Sequence, residues 1–74
     1  MPPIPVISGQ KALRAFTRAG WVYVRRHGSH MILTKLGMNV TLSIPDHKEL
    51  DTGTLRSLIR KSGLTVGEFV KLID

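Results

Sequence analysis

The 74-residue chain carries 11 Lys and Arg against 5 Asp and Glu, a formal charge of +6 on a body sized for one small domain. It has no cysteine, which excludes a disulfide framework, a thiolate metal site and a cysteine nucleophile. So large a positive charge on so small a surface favours a polyanionic partner, with nucleic acid ahead of an acidic protein.

Residues 1–7 hold three prolines and predict an extended arm, anchored through Ile4, Val6 and Ile7, ahead of a single domain over 8–74. The arm lacks the basic and apolar regions of a secretory signal. The longest apolar run, Trp21 to Val24, falls far short of the ~20 residues a membrane helix needs. The expectation is a cytoplasmic protein with no membrane contact. Ser8 suits an N-cap, and Ala12, Ala15, Phe16 and Ala19 recur at helical spacing with Leu13 widening the stripe. Gly20 is placed to end that helix, whose outer side carries Lys11, Arg14 and Arg18.

Two β-rich runs follow, Trp21 to Arg26 and His30 to Thr34, joined by a short polar link containing Gly28, and they predict a hairpin. A tip at His27-Gly28 sets Arg25 opposite His30, Val24 opposite Met31 and Val22 opposite Leu33. A tip at Gly28-Ser29 shifts the pairs by two but keeps the same residues on each face. Val22, Val24, Met31 and Leu33 are expected on a core face, and Tyr23, Arg25, His30, Ile32 and Thr34 on an open one. After a second turn at residues 35–38, Asn39 to Ile44 alternates as a third antiparallel strand, with Val40, Leu42 and Ile44 inward, ended by Pro45. As a meander, this places Ser43 near His30. A polar loop leads to a helix capped by Asp51 or Thr52, with Leu55, Leu58 and Ile59 inward and Gly63 at its end. Thr65 to Glu68 forms a capping-box pattern for a last short helix that faces Phe69, Leu72 and Ile73 inward. The order α-β-β-β-α-α predicts an α+β sandwich with the helices on one face of a three-stranded antiparallel sheet.

Among His27, His30 and His47, His30 stands out. It lies on a strand, and its face holds Arg25, with Lys35 at the strand end and the hydroxyls of Thr34, Tyr23 and Ser43 nearby. A neutral imidazole can take a proton from a ribose 2′-hydroxyl while cations hold the adjacent phosphate, which suits metal-free RNA cleavage. Lys35, Tyr23 and the same histidine are candidates for protonating the leaving 5′-oxygen. Gly28-Ser29 can present backbone N–H groups to a phosphate. His27 and His30 with Asp46 or His47 are the possible metal ligands. Two histidines three apart across a turn are expected to point to opposite sides, and carboxylates are few, so neither metal nor cofactor is expected.

Gly20-Trp21, Arg25, Gly28-Ser29-His30 followed by apolar residues, Val40 to Pro45, His47, Gly53-Thr54-Leu55 and Gly63-Leu64 together resemble the HicA toxin family, in order and in spacing, from about Ser8 to the end of the chain. The resemblance implies a double-stranded-RNA-binding-like fold and an endoribonuclease that cleaves mRNA, with His30 at the catalytic histidine. It also implies a HicB-type antitoxin that covers the active face. Arg25, Gly28, Ser29 and Lys35 are the expected RNA-binding residues. Two rival readings remain: a double-stranded-RNA-binding-like module that grips phosphates without cleaving, and an interaction domain for an acidic partner.

Overall fold

A computed structural model describes residues 3–73 of the chain; the first two residues of the predicted arm, and Asp74 at the end of the predicted domain, lie outside them. The element order is α1 (Gly9–Arg18), β1 (Val22–His27), β2 (His30–Thr34), β3 (Leu42–Pro45), α2 (Thr52–Ser62) and α3 (Val66–Lys71). The three strands form one antiparallel sheet in the order β1-β2-β3, so the fold is α+β with the His30 strand in the centre. No helix among the described residues is long and apolar enough to cross a membrane.

Local chemistry sets the helix ends. The Ser8 hydroxyl accepts from the Lys11 N–H at 3.0 Å, and the chain leaves α1 through Ala19 and a left-handed Gly20. Asp51 caps α2 without a side-chain hydrogen bond. Thr65 and Glu68 complete a reciprocal capping box, with bonds of 2.8 and 3.1 Å. The box holds the Glu68 carboxyl below its usual range, chiefly through the Thr65 backbone N–H.

Helices cover the face of the sheet that carries Met31, Leu33, Leu42 and Ile44, all buried. Ala12, Ala15 and Phe16 from α1, Leu55, Leu58 and Ile59 from α2, and Phe69 from α3 complete the core, where the Phe16 and Phe69 rings lie 4.8 Å apart. The arm joins this core through buried Ile7 and part-buried Ile4, while Val6, also expected to anchor it, is exposed. The Leu50 N–H donates to the Ile7 carbonyl at 2.8 Å. Arg18 donates to the Leu72 carbonyl at 2.7 Å, tying α1 to the end of the chain.

The structure departs from the expected strand pattern in two places. Val22 and Val24, expected in the core, are exposed. A bulge at Val24 is the cause: Arg25 pairs with Ile32 but Tyr23 pairs with Leu33, leaving Val24 as the extra residue. Below the bulge the parity reverses. Tyr23 joins the Leu33 side, Val22 moves to the open face opposite Thr34, and Trp21 enters the core at 1% exposure. The third strand also starts later than expected. Leu33 opposite Leu42 is the last β2–β3 pair, so Val40 lies outside the ladder and is exposed.

Candidate active site

His30 opens β2, and its Cα partners are His27 on β1 and Pro45 on β3. Directly opposed residues share a face of a sheet. His27, His30 and Pro45 therefore form one row across the open face, and Arg25, Ile32 and Ser43 form the next. His27, His30, Arg25 and Ser43 are all exposed. The structure thus brings Arg25 and Ser43 to the face of His30, one row away. It also overturns the expectation that His27 and His30 point to opposite sides. A two-residue turn at Gly28-Ser29 makes them the closing pair of the hairpin, which returns both to one side.

That turn requires its glycine. Gly28 has φ 61° while Ser29 keeps a negative φ, the sign pattern of a type II′ turn, whose first central position favours glycine. A Cβ on Gly28 would have no neighbour within 4 Å, so the tip stands open to solvent.

Beneath the tip lies a polar clamp that sequence reasoning missed. Arg26 is the Cα partner of buried Met31, so it leaves the histidine face. Its Nε donates to the Gly28 carbonyl at 3.1 Å and its Nη1 donates to Asp46 Oδ2 at 2.9 Å. Gln10 Nε2 donates to Asp46 Oδ1 at 3.2 Å, and the Asp46 N–H donates to the Ser29 carbonyl at 2.8 Å. The Arg26 hydrogen bond first, then that of Gln10, holds the Asp46 carboxyl below its ordinary value. Gly9 makes the clamp possible, because a Cβ there would collide with the Pro45 carbonyl oxygen. Its N–H donates instead to the His47 carbonyl at 2.9 Å. Sequence separation hid these contacts. Gln10 and Asp46 are 36 positions apart, and Arg26 and Asp46 are 20 apart.

The remaining expected residues fall elsewhere. Lys35 lies past the far end of β2, about 17 Å from His30 at the rise of a strand. Its Cε stands 3.2 Å from where a Cβ on Gly20 would be. Tyr23 is turned to the Leu33 side by the bulge. Neither shares the row of His30. Among the described residues, no three His, Cys, Asp or Glu side chains stand together as a metal-ligand set. What the rows offer is an exposed imidazole pair with a guanidinium one row away, a combination suited to proton transfer beside a bound phosphate.

A search of curated proteins gives no match to the chain. Residues 9–64 match the model of a family described as the HicA toxin of bacterial toxin-antitoxin systems. That match takes in α1, the whole sheet, the clamp, the histidine row and α2. The chain belongs to the HicA toxin family.

Proposed function

We propose that this toxin is an endoribonuclease that cleaves mRNA without a metal ion, with His30 as the base that removes the ribose 2′-hydroxyl proton. The observation that carries this reading is the placement of His30. It is an exposed imidazole at the start of the central strand, beside a turn fastened by Arg26 and Asp46. The 2′-oxygen attacks phosphorus, and the charge that develops on the phosphate meets Arg25 and the backbone N–H groups of Gly28 and Ser29. Lys35, just past the end of that strand, serves a phosphate farther along the RNA. Asp46 is the carboxylate nearest in sequence to this row, and Arg26 and Gln10 already engage it. Proton transfer therefore falls to imidazole.

Membership of a toxin–antitoxin family implies an antitoxin partner. A HicB-type antitoxin that covers the His30 face would neutralise the activity, and the mRNA substrate places the reaction in the cytoplasm.

Incubating wild-type and His30→Ala protein with a long RNA in excess EDTA tests the reading. Wild type should leave 2′,3′-cyclic phosphate ends, and the variant should lose about 10²–10⁴-fold in rate while keeping its fold. Equal cleavage by both would move the base elsewhere. Salt-sensitive binding with no cleavage by either would favour a double-stranded-RNA-binding-like module.

A further inference from the structure

His30 takes its proton at the 2′-oxygen, on the side of the phosphorus opposite an in-line leaving group, so the 5′-oxygen needs a proton from another residue, and the structure narrows the donors. Lys35 lies about 17 Å from His30 along the strand. Tyr23 shares the side of Leu33. Arg26 is engaged by the Gly28 carbonyl and by Asp46, and no guanidinium gives up its proton in a protein. His27 is different. It is the direct partner of His30, on the same face, exposed, and next to an open tip. Opposed residues in an antiparallel pair have Cβ atoms about 4.5–5.5 Å apart, so two imidazoles there can flank one phosphodiester. An imidazole can serve either as base or as acid, so one ring can play each part.

We propose that His27 is the second catalytic residue, the general acid that protonates the departing 5′-oxygen. The assignment rests on the reading of His30 as the base. As His30 takes the 2′-hydroxyl proton, the 2′-oxygen–phosphorus bond forms and the phosphorus–5′-oxygen bond breaks. The His27 imidazolium delivers its proton to that oxygen. The products are a 2′,3′-cyclic phosphate and a 5′-hydroxyl, and exchange with water returns both rings to their starting states. The other charged groups around the pair are Arg25 on the same face, Arg26 joined to Asp46 behind the turn, and His47, Lys48 and Glu49 on the loop after Pro45.

The test uses a short RNA spanning a linkage first mapped on a long one, made with either oxygen or sulfur at the 5′-bridging position. A thiolate leaves without being protonated, so sulfur removes the need for an acid. Wild type, His27→Gln, His30→Ala and His47→Gln are compared in EDTA. His27→Gln should lose about 10²–10⁴-fold on the oxygen substrate and recover close to the wild-type rate on the sulfur substrate. It should also lose the alkaline limb of the kcat/KM profile. His30→Ala should fail on both substrates and His47→Gln should match wild type. With the fold of His27→Gln confirmed by its wild-type Trp21 emission, equal losses on both substrates would overturn the role. Unchanged oxygen cleavage by His27→Gln, with His30→Ala inactive, would overturn it while leaving the His30 reading intact. If wild type cleaves neither substrate, or His30→Ala cleaves as well as wild type, both readings fall together.

Discussion

The two ends of the hairpin differ in what lies behind them. At the turn end, the Gly28 and Ser29 carbonyls, the Arg26 guanidinium and the Asp46 carboxylate all have hydrogen-bond partners. At the other end, Val22 is 59% exposed and Leu36 fully so, with Met38 and Val40 beside it in the sequence also in solvent. The first end combines exposed chemistry with a fastened backbone. The second exposes apolar side chains that the core does not use. Side-chain hydrogen bonding on the sheet is therefore concentrated where the histidines are, and four changes would break or sharpen the contrast.

Met31→Ala should have the largest effect. Met31 is 2% exposed beneath the turn end, and its sulfur accepts from Gln10 Nε2 at 3.5 Å. Truncation of a buried methionine costs about 2–5 kcal/mol, a large share of a small domain's stability, and denaturant titration would read it. Asp46→Ala should act locally instead. It removes the carboxylate that joins Arg26 to Gln10, so amide exchange at His30 and at residue 46, whose N–H donates to the Ser29 carbonyl, should quicken several-fold while exchange in α2 stays unchanged. Acid should copy this variant. The Asp46 carboxyl is lowered from its usual 3.8 in the folded state, so its contribution is present above that value and is lost as pH falls below it. Exchange or histidine chemical shifts followed through that window should report the clamp opening; a wild-type turn that stays as protected below it as above would show that the carboxylate does not hold the turn.

Deleting Val24 should matter less. Without the extra residue Arg25 still meets Ile32 and Tyr23 still meets Leu33, so Trp21 remains in the core. The thermal midpoint should stay within about 4–8 °C, the shift that 1 kcal/mol produces in a domain of this size. A collapse in stability would mean that the bulge is required by the fold. Leu36→Ser, at the far end, should change stability by no more than about 0.5 kcal/mol. A larger loss would show that this exposed side chain supports the fold after all.

The same contrast explains what could be read from the sequence. Ser8, Gly20, Gly63 and the Thr65–Glu68 box announce the helix ends, because caps are local chemistry. The alternation of His30 to Thr34 reads correctly because β2 is central and covered on one face. β1 gave no such signal: Val22, Tyr23 and Val24 are all good strand formers, and no glycine marks the bulge. Glycine-first two-residue turns are the signal that would have placed His27 beside His30, by choosing Gly28-Ser29 over His27-Gly28 as the tip. The Gln10–Asp46–Arg26 clamp had no sequence signal, since its members meet only through the tertiary fold.

Trp21 is the only tryptophan in the chain, and the parity reversal at Val24 is what buries it. Its ring is buried among apolar side chains, so it should emit in the blue while the domain is folded. It lies six residues from His27, about 20 Å at the rise of a strand. Occupation of the histidine row should leave that emission unchanged, and unfolding should move it to the red. The protein thus carries its own optical probe, which separates loss of the fold from events at the turn without any label.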